Sequence, residues 1–171
     1  GLGRSEWAQQ LYAVVSELDM PCVWDADALN LLAETPAKSE RRIITPHPGE
    51  AARLLGDTTA AVQDDRPAAL KSLQDKYGGV IVLKGANTLV SSKKQVPWLC
   101  TAGNPGMASP GMGDVLTGIV AALLAQGLGK EASAVVGVEA HARAGDLAAR
   151  SGERGTIASD LIAELRRVVN P

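Results

Sequence analysis

No run of apolar residues in this sequence approaches the roughly 20 needed to span a bilayer. No signal-peptide pattern is present either, so the residues read as those of a cytoplasmic protein with no membrane partner. Basic tracts and aromatic-basic interleaving are also missing. With 17 Lys and Arg against 19 Asp and Glu, the formal net charge is -2, which argues against nucleic acid as a main partner. Cysteine is scarce: Cys22 and Cys100 lie far apart in apolar, strand-like segments and read as buried free thiols. The two histidines, His47 and His141, have no cysteine nearby and do not form a zinc pattern, so no metal-ligating set is expected. A Walker A motif is absent, which excludes classical P-loop chemistry. Repeats, low-complexity stretches and linkers are missing too. The 171 residues, 46% hydrophobic and 21% charged, therefore read as a single globular domain over 1–171. There is no initial methionine. Gly1-Leu-Gly3 opens on a glycine turn that would normally follow a strand, and the expectation is a fragment whose N-terminal part has been removed.

What is present alternates between short apolar strands and helices. A first helix carries Trp7, Leu11, Val14, Val15 and Leu18 on one face. Strands are expected at Pro21–Trp24, Arg42–Thr45 and Val80–Leu83, the last continuous enough to be covered on both faces. A helical turn is expected over 27–33 and a short helix after Pro46-His-Pro-Gly-Glu50. Asp64 is expected to cap a helix through Leu70 and Leu73 that stops at Gly78-Gly79. Thr88–Ser91 and Gln95–Cys100 read as two strands around a Ser92-Lys93-Lys94 turn. An alanine-rich helix over 131–150 has two readings, close intramolecular packing or a subunit contact in a homo-oligomer. Ser159 is expected to cap the last helix, with Leu161, Ile162, Leu165, Val168 and Val169 inward. Such an alternation implies an α/β fold, a mostly parallel sheet between helix layers, with ligands at the strand ends.

The densest signal is Asn104-Pro-Gly-Met-Ala-Ser-Pro-Gly-Met-Gly-Asp114, followed at once by an apolar helix with Leu116, Ile119, Val120, Leu123 and Leu124 on one face. A helix N-terminus offers unpaired N–H groups and the positive end of the helix dipole, and glycines let the backbone come close to an anion. A carboxylate placed in a site built for a bound anion is electrostatically wasteful, and such a conflict marks chemistry: Asp114 can take a proton from a hydroxyl beside a phosphate. Lys84-Gly-Ala-Asn-Thr88 follows the buried strand. It reads as a holder of phosphate or ribose oxygens or, alternatively, as an ordinary turn. His47 sits between two prolines that fix the backbone, which suits hydrogen bonding to a substrate; the other reading is an incidental histidine in a surface turn. Asp25 and Asp27 can hold Mg²⁺ through water, although helix capping would account for Asp27. Asn30 lies one turn further on. His141, mid-helix among alanines, reads as structural.

Pro110–Gly118 resembles the anion-hole loop of ribokinase-like enzymes, with its Gly-x-Gly-Asp pattern. Four stretches in order, Gly1–Gly3, Thr45–Glu50, Leu83–Thr88 and Ala102–Asp114, resemble the ADP-dependent NAD(P)H-hydrate dehydratases. The resemblance implies a three-layer α/β/α ribokinase-like sandwich lacking its N-terminal part. It also implies dehydration of hydrated NADH or NADPH, with ADP as co-substrate and Mg²⁺, giving AMP and phosphate. By motif, Lys84, Gly85, Ala86, Asn87, Thr88 and Gly113 would bind nucleotide. Gly3, His47 and Asp114 would contact the hydrated substrate, Asp114 would be the base, and Gly111, Met112 and Gly113 would form the anion hole. Fusion to an epimerase domain occurs in many members. Two other readings are a ribokinase-like kinase for a vitamin-precursor alcohol and a non-catalytic nucleotide-binding fragment.

Overall fold

The computed structural model describes residues 2–92 and 96–170. The chain divides into two compact units, Gly1–Gly85 with Leu89–Pro97 and Ala86–Thr88 with Trp98–Pro171.

The first unit runs α1 (Glu6–Glu17), β1 (Cys22–Trp24), α2 (Asp27–Glu34), β2 (Arg42–Ile44), α3 (Pro48–Leu55), α4 (Thr59–Asp64), α5 (Arg66–Tyr77), β3 (Val80–Leu83) and β4 (Leu89–Ser92). Strands β1, β2 and β3 pair in parallel, and β4 returns antiparallel to β3, so the sheet is mixed but mostly parallel. Every residue of β2 and β3 is buried, as the unbroken apolar run of β3 requires. Leu29, Leu32, Ile44, Leu54, Leu70, Leu73, Ile81 and Leu83 form the core. Gly79 makes the α5–β3 corner possible. Its φ is +67°, and a Cβ there would lie 2.2 Å from the Arg42 carbonyl oxygen. Arg42 is itself buried, with its guanidinium 4.5 Å from the centre of the Trp24 ring, and burial pushes its pKa down.

Three expectations change here. The cap of α5 is Asp65, which accepts from the Ala68 N–H; Asp64 ends the separate short helix α4. Of the apolar stripe expected on α1, Val15 turns inward and the other four residues do not. Trp7 is 64% exposed, and Leu11, Val14 and Leu18 are exposed as well. Ala8 is buried instead, and Tyr12 and Val15 pack on the core. Both cysteines are free, but Cys22 is only half-buried.

The second unit holds β5 (Trp98–Leu99), a 3-10 turn at Pro105–Met107, α6 (Met112–Ala125), α7 (Lys130–Ala148) and α8 (Ala158–Val168). The alanine-rich helix packs within the unit: a Cβ at Gly137 would lie 2.7 Å from Val120 Cγ2 of α6. Met112, Ala144 and Leu161 form the centre of its core. Ser159 does not cap α8. The helix starts at Ala158, and the Asp160 carboxylate accepts from the Ile157 N–H at 3.0 Å. The start therefore lies two residues earlier than expected. Of the expected inward face, Leu161 is buried and Leu165 and Val168 pack on the core, while Ile162 and Val169 are exposed. The expected turn at Lys93-Lys94 lies outside the described residues. Among the described residues, no helix is long and apolar enough to cross a membrane.

Candidate active site

Parallel strands end together, so the residues after β1, β2 and β3 gather at one edge of the first unit's sheet. Asp25 follows β1 and Lys84 follows β3. Lys84 Nζ donates to Asp25 Oδ1 at 2.7 Å and lies 3.7 Å from Glu50 Oε2. All three side chains are largely buried, at 17%, 10% and 9% exposed for Lys84, Asp25 and Glu50. The Lys84 N–H donates to the Pro46 carbonyl at 2.8 Å, which ties the β3 end to the β2 end.

His47 is rigid, as the flanking prolines suggested, but for a further reason: it is the N-cap of α3. Its Nδ1 accepts from the Gly49 and Glu50 N–H groups at 3.0 and 3.3 Å, and Glu50 Oε2 accepts from the His47 N–H at 2.8 Å. This is a reciprocal capping box. Because Nδ1 accepts, the neutral ring carries its proton on Nε2. Nε2 lies 3.6 Å from Glu50 Oε1.

Asp27 does not cap α2, where Ala26 is the N-cap with φ +51°. Its carboxylate accepts from the Gly3 N–H at 2.7 Å and from Asn30 Nδ2 at 3.3 Å. Asn30 Oδ1 in turn accepts from Arg53. Asp25 and Asp27 are thus each committed to protein partners. Arg66, at the start of α5, donates to the Leu83 carbonyl at 3.1 Å and the Lys84 carbonyl at 3.3 Å. Burial lowers its pKa, and the two carbonyls fix the way the chain leaves β3.

The boundary between the units falls after Gly85, so Ala86, Asn87 and Thr88 belong to the second. Asn87 takes a left-handed φ of +57°, and the Thr88 carbonyl accepts from the Cys100 N–H at 2.9 Å. Burial pushes the Cys100 thiol pKa up, which suits an inert core cysteine.

Gly111 is the N-cap of α6, with φ +87° and no side chain capping the helix. Met112 is buried, Gly113 half-buried and Asp114 exposed. Among the described residues, no hydrogen bond or ion pair engages the Asp114 carboxylate. The loop before it is held by its neighbours. Asp146 accepts from the Gly103 N–H and Asn104 Nδ2, each at 2.9 Å. Ser109 Oγ donates to the Thr156 carbonyl at 2.9 Å. His141 Nε2 lies 2.9 Å from the Met112 carbonyl oxygen.

Sequence reading missed Glu50, Arg66 and Asp146. Glu50 alone left a local trace, because a glutamate three residues after an N-cap is the capping-box spacing. Arg66 and Asp146 act on residues 17 and 43 positions away, which no local pattern reveals.

The family model described as NAD(P)H-hydrate dehydratase matches residues 1–167. The bifunctional NAD(P)H-hydrate repair enzyme Nnr of Coxiella burnetii is 54% identical over 172 residues, covering 100% of this chain and 35% of that protein. The chain thus spans about a third of that relative's length. The solved ADP/ATP-dependent NAD(P)H-hydrate dehydratase of Bacillus subtilis, co-crystallised with ATP and Mg²⁺, superposes with a TM-score of 0.87 at 29% identity, covering 99% of this chain and 61% of that one. A ribokinase-like superfamily protein of Enterococcus faecalis gives a TM-score of 0.83 at 28% identity, covering 98% and 60%. With its ribokinase-like fold and a family match over nearly its whole length, this chain belongs to the NAD(P)H-hydrate dehydratase family.

Proposed function

We propose that this chain catalyses the ADP-dependent dehydration of hydrated NADH and NADPH, giving NAD(P)H, AMP and phosphate. The observation that carries the proposal is the exposed, unengaged Asp114 carboxylate on the glycine-capped N-terminus of α6. In this reading Asp114 removes the proton from the ring hydroxyl, and that oxygen attacks the β-phosphorus of ADP as AMP leaves. The N–H groups of Gly111, Met112 and Gly113, with the helix dipole, stabilise the charge on the transferring phosphoryl group. The ring nitrogen's lone pair then expels phosphate, and loss of a proton from the adjacent ring carbon restores the double bond.

Lys84 to Thr88 and Gly113 hold the nucleotide, and Gly3, His47 and Asp114 hold the hydrated ring. His47 offers Nε2–H as a donor, because its Nδ1 is occupied by α3. Mg²⁺ would enter with the nucleotide, since it favours phosphate oxygens, and would there offset the phosphate charge. The protein's own carboxylates fit a metal poorly, since Asp25 pairs with Lys84 and Asp27 with Gly3 and Asn30. An epimerase domain fused in the parent protein and a homo-oligomeric assembly are both compatible with this chemistry.

Hydrated NADH with ADP is the test, read as recovery of reduced-nicotinamide absorbance. Recovery with AMP and phosphate formed in equal amounts supports the proposal. Phosphorylation of an added vitamin-precursor alcohol without recovery would make the chain a kinase. Binding of ADP with neither reaction would make it a nucleotide-binding module.

A further inference from the structure

Helix α7 holds the loop that carries Asp114 at both of its ends. His141 Nε2 meets the Met112 carbonyl at 2.9 Å; a carbonyl only accepts, so Nε2 carries the proton. Five residues on, Asp146 accepts from the Gly103 N–H and from Asn104 Nδ2. Asn104 Oδ1 passes the constraint on by accepting from the Gly106 N–H at 3.0 Å. Between these two side chains, Gly145 lets Met107 lie against the helix backbone, where a Cβ would stand 2.3 Å from the Met107 sulfur. Packing alone does not call for a histidine at 141. The position is buried on a helix whose neighbouring buried residues are alanine, glycine and valine. A buried polar ring is costly unless it is hydrogen-bonded.

Resting on the proposed reaction, we propose that His141 and Asp146 are positioning residues for phosphoryl transfer. His141 sets the direction of the first turn of α6 through the Met112 carbonyl. Asp146 sets the Gly103–Asn104 turn at the other end of the loop. Together they fix the turn that presents the Gly111 and Gly113 N–H groups and the Asp114 carboxylate, and a misplacement of about 1 Å there costs about a hundredfold in rate.

The test compares the unmodified chain with His141→Phe, His141→Gln and Asp146→Asn. It uses kinetics with ADP and hydrated NADH together with hydrogen exchange along the whole chain. His141→Phe keeps the ring and loses the donor; His141→Gln restores an N–H near the same place. Asp146→Asn turns one acceptor oxygen into a donor facing another donor. His141→Phe and Asp146→Asn are expected to lower kcat about 10–100-fold while KM for ADP moves less than about threefold. Amides of 103–114 should exchange roughly tenfold faster, with the rest of the chain unchanged. His141→Gln should recover part of the lost kcat. Turnover within about twofold of the unmodified chain in both variants, or faster exchange spread over the whole chain, overturns the inference. Should the unmodified chain fail to turn over, the proposed reaction falls, and exchange still decides: acceleration confined to 103–114 supports the positioning role, and unchanged exchange refutes it.

Discussion

The two units build their functional loops with opposite chemistry. In the first, charge braces the edge: Lys84 sits beside Asp25 and Glu50, Arg66 grips the Leu83 and Lys84 carbonyls, and Glu50 caps His47 in return. In the second, close packing does the work. Gly137 and Gly145 let Val120 and Met107 approach the α7 backbone, and two polar side chains fix the loop ends. The difference lies in what each leaves available. Asp25, Asp27 and Glu50 are all committed to protein donors, whereas Asp114 stands exposed on its glycine turn. A base must be able to accept a substrate proton, and among these carboxylates Asp114 alone is left exposed and unengaged for that role in the proposed reaction.

Asp114→Asn tests this contrast most sharply. The residue is exposed, so folding and ADP binding should persist while recovery of NADH falls about 10²–10⁴-fold. Near-normal turnover would remove the base assignment and the contrast with it. Gly79→Ala attacks the frame of the first unit, because its new Cβ would meet an immovable backbone carbonyl at a positive φ. A loss of about 2–3 kcal/mol in denaturant unfolding is expected. Lys84→Met probes the charged brace by leaving Asp25 and Glu50 facing each other without their cation. The expected cost is about 2 kcal/mol, below that of a fully buried pair because some exposure remains. An unchanged unfolding midpoint would mean that charge does not hold this edge. Gly145→Ala should be mildest, about 1 kcal/mol by thermal unfolding. There the clash falls on the flexible Met107 side chain, and alanine's helix propensity offsets part of it. A larger loss than at Gly79 would reverse the comparison.

Much of the fold was legible in the pattern of residues. Val80–Leu83, the stop at Gly78, and the helix launched from the glycine loop all follow from local rules: unbroken apolar runs, left-handed glycine caps, and 3.6-residue periodicity. The errors have local causes too. Asp64 and Asp65 compete for one cap, and at α8 the Asp160 carboxylate takes the Ile157 N–H, so the helix is capped two residues before Ser159. On α1 the apolar residues outnumber what the core admits: the face carrying Ala8, Tyr12 and Val15 wins, and Trp7, Val14 and Leu18 stay outside. The site was legible as motifs but not as contacts. His47, Lys84 and Asp114 stood out, whereas the partners that set their geometry lie far along the chain or, like Glu50, inside a motif read for another reason.

By itself, the sequence determined that a glycine turn would carry Asp114 on a helix N-terminus, because φ beyond zero, unpaired N–H groups and the apolar stripe are properties of neighbouring residues. Only the tertiary structure decided which carboxylates would be available. Asp25 meets Lys84 across 59 residues and Asp146 meets Gly103 across 43, and such pairings exist only once strands and helices have been brought together. Burial then makes the Asp25–Lys84 pairing obligatory, since a buried polar group left without a partner costs more than the fold can spare.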